Sequence, residues 1–305
     1  MPAEPALRRV GLLTNPTAGA GRGAGLGARA RAALLAAGHE VVDLSGPDAR
    51  TAESHARAAL SDRRIDVLLV VGGDGMAHLG TNLVAGTGIP LALVAAGTGN
   101  DNARELGLPL RDADAATALV TAGHTRAVDV GRCVTADGAT RWWLGVLGGG
   151  FDSVVTERAA RMSWPHGSLR YTLAVARELP TFRAIPYAVT IDGERVETEA
   201  MLVAVANGPA FGGGMRVAPD ARYDDGLFDV MILHRVSVAA FVRVFPRVFS
   251  GTHLTHPKVQ IVRGRHVRLE ADGIVTQADG ERFEPLPVDL EIVPGALRVV
   301  VPPLP

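Results

Sequence analysis

Three glycine-rich segments hold most of the polar chemistry of the first half of this chain: NPTAGAGRGAG at residues 15–25, GGDG at 72–75 and AAGTGNDNAR at 95–104. Glycine is required where a backbone must take positive φ or pass close to something bulky. A phosphate chain meets that description, and Asp74 is then placed to hold its metal ion or to take a proton. In the first segment the glycines let backbone N–H groups turn toward an anion. Gly19, Gly21 and Ala24 also fit a degenerate dinucleotide fingerprint, with Asp43 near the ribose-binding distance, and a flexible turn remains an alternative. Asn100 and Asp101 can equally be helix caps, and so can Asp74, although a cap does not need glycine on both sides. Taken together, three such loops point to nucleotide phosphates.

Other chemistries find no support. The P-loop pattern G-x-x-x-x-G-K-[ST] is absent, because the only lysine is Lys258, and there is no H-R-D, D-F-G or G-x-S-x-G set. The nine histidines are scattered without metal-ligand spacing, and His78, one helical turn beyond Asp74, reads as a packing or capping residue.

The elements that must position these loops follow from hydrophobic patterning. Up to about residue 125, short apolar runs (RVGLL, HEVVDL, DVLLVV, PLALV) alternate with alanine-rich helical stretches. Strict alternation predicts a parallel sheet covered on both faces, and strands buried on both sides read as continuous apolar runs. Ligands bind at the carboxyl ends of such strands, where all three loops fall. From about residue 128 the texture becomes strand-like: WWLGVLGGG, YAVTIDGERVE, MLVAVANG, LFDVMIL, KVQIV, HVRLEADG, VDLEIV and ALRVVVP. IDGE, ADGI and ADGE read as hairpin-type turns. Only SLRYTLAVARELPTF and SVAAFVRVFPRVFS look helical, with Pro246 expected to bend or shorten the second. This half is expected to be antiparallel, with the ligand in a cleft between two unlike domains.

Composition narrows the class. At 305 residues with 47% hydrophobic and 21% charged residues, neither disorder nor a membrane bundle is indicated. No apolar run approaches the ~20 residues of a spanning helix, and the N-terminal stretch lacks a secretory signal pattern, so a cytoplasmic protein is expected. A net charge of −1 gives no reason to expect nucleic acid as a partner. The single cysteine, Cys133, excludes an internal disulfide or a cysteine-built metal site and reads as a partly buried small residue.

With these segments in place the sequence resembles the diacylglycerol kinase catalytic-domain family, which includes bacterial soluble lipid kinases and sphingosine kinases. The resemblance covers nearly the whole chain. It rests on NPTAGAG (15–21), GGDG (72–75), GTGNDNAR (97–104), VDVG (128–131), APDARYDDGLFDV (218–230) and ADGE (278–281), in the family's order. It implies an α/β plus all-β protein. An ATP-binding parallel-sheet domain of NAD kinase/diacylglycerol kinase type is expected over residues 1–127, a β-sandwich that helps admit lipid over 128–294, and a final strand returning to the first domain over 295–305. The nucleotide site carried over comprises Asn15, Gly72, Gly73, Asp74, Gly75, Met76, Ala77 and His78, with Thr98, Gly99 and Asn100. Glu281 matches the family's proton acceptor. Asp74, Asp101 and Asp129 match an acidic network around a catalytic Mg2+, and a structural Mg2+ is expected on the Asp225 carboxylate and the carbonyls of Arg222 and Leu227.

Two positions depart from the family's pattern. Met76 stands where most relatives place Thr or Ser, so a hydroxyl able to touch phosphate is missing, although the sphingosine kinase branch also has an apolar residue there. Asp43 replaces a nucleotide-contacting threonine of some bacterial relatives, and an acid there can bond a ribose hydroxyl or be merely solvated.

The implied activity is transfer of the ATP γ-phosphoryl group to a lipid hydroxyl, diacylglycerol being the default acceptor. The protein would then work peripherally at the inner face of the membrane, and a homodimer is left open. Apolar residues around WPHGSLRYTLAVARELPTF and FVRVFPRVFSGTHL are candidates for an acyl pocket or membrane contact, with Arg170, Arg177, Arg183, Arg243 and Arg247 facing headgroups; simple helix packing and solvated surface are the alternatives. A soluble-metabolite kinase of the NAD kinase or phosphofructokinase type, or a non-catalytic dinucleotide-binding module, are the competing functions.

Overall fold

The structure, a computed structural model, describes residues 7–162, 164 and 168–303. Residues 165–167 and the side chain of Arg170, both within the stretch considered for membrane contact, lie outside the described residues. The chain divides into two compact units, one comprising residues 1–130, 142–144 and 293–305, the other residues 131–141 and 145–292.

The first unit runs β1 (Arg9–Thr14), α1 (Ala18–Ala36), β2 (Glu40–Asp43), α2 (Ala49–Ser61), β3 (Val67–Gly72), α3 (Asp74–Val84), β4 (Leu91–Ala95), α4 (Asp101–Glu105) and α5 (Ala113–Ala122). After it come β5 (Thr125–Val134) and β6 (Thr140–Trp143). The parallel sheet has the order β2, β1, β3, β4, extended at Val299 by the end of the last strand of the chain. All six residues of β3 and all five of β4 are buried, as their unbroken apolar sequences require. Leu12, Leu69 and Val94 face one core with Ala30 and Leu34 of α1 and Ala116 and Val120 of α5. On the other face Gly80 lets α3 close onto β4, since a Cβ there would lie 2.6 Å from Leu91 Cδ1. Strand order reverses between β1 and β3, so the loops leaving these two strands diverge at a switch point.

The second unit continues with β7 (Val146–Gly150), α6 (Phe151–Arg161), α7 (Ser168–Glu178), β8 (Ile185–Ile191), β9 (Glu194–Ala206), β10 (Phe228–His234) and α8 (Val238–Val244). Two 3-10 turns (Phe245–Ser250 and Thr252–Thr255) lead to β11 (Val259–Gly264), β12 (His266–Glu270), β13 (Val275–Ala278), β14 (Glu281–Pro285) and β15 (Val288–Val300). The pairs β7–β9, β8–β9, β9–β10, β10–β11, β8–β12, β12–β15, β7–β13 and β13–β14 are all antiparallel. The first half of β9 pairs with β8, which continues through β12 to the start of β15. The second half of β9 lies between β7 and β10, with β13, β14 and β11 outside them.

Several sequence expectations needed correction. YAVTIDGERVE and MLVAVANG are not separate strands beyond the first turn: β9 is one strand of 13 residues, because its polar first half and apolar second half serve different neighbours. VDLEIV and ALRVVV likewise form one 13-residue strand, β15, across Pro294 and Gly295. ADGI is a turn but not a hairpin, since β12 pairs with β8 and β15 while β13 pairs with β7 and β14. Two helices were not expected, α5 and α6. Their signals existed for α5, where Asp112 accepts from Ala115 N at 3.0 Å and Gly123 closes the helix at φ +76°. IDGE and ADGE are hairpins with both central residues at positive φ: Asp192 +49°, Gly193 +93°, Asp279 +53° and Gly280 +85°. Pro246 does end α8, the chain tightening there into a 3-10 turn.

Candidate active site

In the first unit, the three glycine loops are brought together at the carboxyl ends of β1, β3 and β4. Asn15 N–H donates to Val71 O at 3.0 Å, tying the first loop to the end of β3. The Asn15 carboxamide oxygen accepts from Thr17 N (3.1 Å) and Thr17 Oγ1 (2.9 Å), and residues 19–21 depart from helical geometry with φ of +60°, +60° and +92°. A Cβ at Gly19 would lie 2.0 Å from Ala96 O, so the first loop also abuts the loop after β4.

The glycines of the second and third loops act differently from the sequence reading. Gly73 is extended (φ −94°, ψ −159°) and caps α3, with Asp74 in the first helical turn. A Cβ on Gly97 would sit 2.5 Å from Gly73 Cα, and one on Gly73 would sit 3.1 Å from Gly97 Cα. These two glycines are therefore required by the close approach of one loop backbone to the other. Asn100, at φ +54°, closes the third loop by accepting from Gly97 N (2.9 Å) and donating to Gly97 O (3.0 Å). Asp74 Oδ1 accepts from Asn102 N at 3.3 Å, linking α3 to the start of α4. Gly75, Met76 and the exposed Thr98 border the same loops, and Ala77 and His78 are buried on α3. The Met76 side chain folds back over Gly72, where a Cβ would meet Met76 Cγ at 2.2 Å.

The acidic residues are already engaged. Buried Asp101 accepts from Arg104 Nη1 at 2.9 Å, and buried Asp129 accepts from Gly295 N at 2.8 Å. Among the described residues, no three His, Cys, Asp or Glu side chains cluster as a ready-made metal cage. Mg2+ is commonly held by one or two carboxylates plus phosphate oxygens, so Asp74 and its neighbours suit it only together with bound phosphate. Asp43 Oδ1 accepts from Ser45 N at 2.9 Å, which closes a turn after β2 and accounts for an acid at this position without a ribose.

In the second unit Glu281 opens β14 on the exposed side of the ADGE hairpin. Its position is fixed by a residue not singled out from sequence. Asp279, 6% exposed, accepts from Gly145 N at 2.7 Å, while its own N–H donates to Val146 O at 3.0 Å. The DG pair signalled the turn; only the fold shows that its aspartate is a buried anchor.

Asp225 accepts from Leu227 N at 3.2 Å and from the Arg263 guanidinium, whose Nε lies 3.4 Å from Asp229 Oδ1. Asp229 is 4% exposed, and its Oδ2 is buried without a hydrogen-bond partner. Burial pushes the Asp229 carboxyl pKa up against the pull of Arg263. Asp225 and the carbonyls of Arg222 and Leu227 are oxygen donors of the type Mg2+ prefers, but a cation there must compete with Arg263 for Asp225.

The same unit holds a small, partly open apolar pocket with a cavity volume of about 50 Å³, lined among others by Phe151, Leu202, Met231, Phe241, Phe245 and Val248. Phe241, Val244, Phe245, Val248 and His253 of FVRVFPRVFSGTHL line this pocket, whereas Ala174 and Leu179 of the other stretch pack in the adjoining core. His253 is the polar member of the lining, with Nε2 3.1 Å from Val217 O. Its pKa is lowered by burial, as is that of His39, where the positive charge of nearby Arg8 lowers it further. A folded-state histidine pKa below the unfolded value means the unfolded chain binds the proton more tightly. Stability contributed by keeping His253 neutral is therefore present above about pH 6.5 and lost as pH falls below it. Thermal melts between neutral and acidic pH should show a shallower acid-side loss for His253→Leu than for the wild type; identical slopes would remove His253 from this dependence. Cys133 is buried, and burial raises its thiol to about 11, so it is inert at neutral pH.

Comparison with known proteins agrees with this anatomy. Residues 9–133 match the diacylglycerol kinase catalytic domain, and residues 145–301 match the YegS C-terminal NAD kinase beta sandwich-like domain. The chain is 39% identical over 295 residues to a diacylglycerol kinase of Mycobacterium tuberculosis, covering 96% of this chain and 95% of that protein. It is 28% identical over 300 residues to a diacylglycerol kinase of Bacillus subtilis, covering 97% of each. A solved structure from Bacillus anthracis str. Sterne aligns with a TM-score of 0.77 at 27% identity over 97% of both chains. With both halves matched and the likeness running almost end to end, the chain belongs to the diacylglycerol kinase family and is a lipid kinase.

Proposed function

We propose that this kinase transfers the γ-phosphoryl group of ATP to the free hydroxyl of diacylglycerol, giving phosphatidic acid and ADP. The observation that carries the choice of acceptor is the apolar pocket of the second unit, whose lining suits acyl chains and offers a soluble metabolite almost nothing to bond. No helix among the described residues is long and apolar enough to cross a membrane.

Phosphoryl transfer is mainly a matter of alignment and charge neutralisation. Backbone N–H groups of the three packed loops, with the positive end of α3, hold the phosphates. Asp74, together with Asp101 and Asp129 of two later motifs, would hold Mg2+, which when bound offsets the charge of the phosphate oxygens. Glu281 accepts the hydroxyl proton as the new oxygen–phosphorus bond forms. Buried Asp279 holds the hairpin that presents Glu281.

Radiolabelled ATP offered with diacylglycerol vesicles, NAD or other soluble alcohols tests the acceptor. Label is expected in phosphatidic acid alone, and label in NAD with none in lipid would overturn the reading. Asp74→Ala should lower lipid phosphorylation by at least about 10²-fold, the scale of losing electrostatic stabilisation at a transferring group. Retained turnover in that variant would exclude Asp74 from the site.

A further inference from the structure

We propose that α8 and the 3-10 turn behind it, Phe245–Ser250, form a face that docks on an anionic membrane surface while their opposite face lines the acyl pocket. This rests on the lipid-kinase reading above. The first observation is charge. Between Asp229 and Glu270 the sequence has no acidic residue, yet it carries seven arginines and lysines in a chain whose net charge is only −1. Some of these cations are paired: Arg235 with Glu199 at 2.8 Å, Arg268 with Asp289, and Arg263 with Asp225. Arg243, Arg247 and Lys258 are exposed and form no ion pair among the described residues.

The second observation is apolar surface on the same strip. Val242 is 55% exposed and Phe249 51%, beside exposed Pro246. Scattered exposed apolar residues are ordinary; here they alternate with unpaired arginines on one short segment. Basic residues mixed with Phe and aliphatic side chains are the composition of interfacial segments that settle at the headgroup boundary.

The third observation connects the two faces. Phe241, Val244, Phe245 and Val248 point into the pocket lining. Ring contacts run without a break from Phe151 to Phe241 (4.9 Å between centroids), to Phe245 (5.6 Å) and on to exposed Phe249 (6.4 Å). A partner seated on Phe249 therefore touches the outer end of a ladder of rings whose inner end is in the pocket. An anionic bilayer carrying the substrate fits both the charge and this apolar continuity; an acidic soluble protein fits only the charge.

The test is flotation of the full chain with phosphatidylcholine vesicles made with or without a minority of phosphatidylglycerol. Wild-type protein is expected to float with the anionic vesicles at about 0.1 M salt and to be released at about 1 M, where the screening length shrinks from about 10 Å to about 3 Å. Arg243→Gln with Arg247→Gln should weaken binding about 30-fold, from roughly fivefold per near-surface cation. Val242→Ser with Phe249→Ser should weaken it at both salt concentrations. Phosphorylation of a dissolved short-chain diacylglycerol should be unchanged in both double variants, which also shows that they fold. Wild-type flotation by both double variants, or no wild-type flotation at all, would overturn the docking face. Normal flotation, lost in the variants, without any transfer to dissolved lipid would support the docking face and remove the acceptor reading instead.

Discussion

Glu281→Gln should reduce lipid phosphorylation by about 10²–10⁴-fold, the usual worth of a positioned general base, and leave the melting temperature unchanged. Glu281 is exposed and makes no side-chain hydrogen bond or ion pair among the described residues, so nothing in the fold depends on its charge. Glutamine keeps the shape and removes the ability to take the proton. Separating the two roles requires steady-state rates together with a thermal melt of the same preparation. A loss of stability paralleling the loss of rate would mark Glu281 as structural, and an unchanged rate would move the base elsewhere. Asp279→Ala makes the contrasting case, because removing the buried acceptor of Gly145 N should lower stability as well as turnover.

Gly97→Val should abolish most nucleotide-dependent turnover, by about 10²-fold or more, through displacement of backbone alone. The new Cβ would stand 2.5 Å from Gly73 Cα and 2.8 Å from Asn100 Oδ1, so one loop must retreat from the other by roughly an ångström to restore ordinary contact. Misplacement of that size in a positioning element typically costs about 10²-fold, and overpacking itself costs about 1–3 kcal/mol of stability. The discriminating measurement is ATP binding by calorimetry on the variant, with a melt to confirm folding. Wild-type ATP affinity would show that the Gly73 and Gly97 contact does not set the geometry of the phosphate site. Valine at Gly25 is the control, since a Cβ there meets nothing within 4 Å.

The strands of the first unit were legible because double-sided burial leaves no room for polar residues: VLLVVG and LALVA read as strands for the same reason that they are fully buried. The glycine loops were legible as loops, and their place at strand ends followed from parallel topology. What the glycines do there was not. Gly73 and Gly97 look like contacts for a ligand in one dimension, and the fold adds a demand that one dimension hides, that each leave room for the other's backbone. α5 and α6 escaped because alanine-rich or mixed-polarity stretches carry a weak periodic signal beside strong strand runs. The length of β9 and of β15 escaped because a strand that changes neighbours midway changes its polarity pattern at the same point.

By itself, the sequence determined the local events: which runs bury, where the chain turns, and which residues have side chains fit to hold phosphate, metal or a proton, since these depend on residue type and near neighbours. Tertiary structure alone decided which of those residues meet. The β2, β1, β3, β4 order, the Gly73–Gly97 approach, the anchoring of Asp279 on Gly145 and a pocket drawn from Phe151, Leu202, Met231 and Phe241 all join residues far apart in the chain. Such pairings are selected by the packing of whole elements, and no short window of residues encodes them.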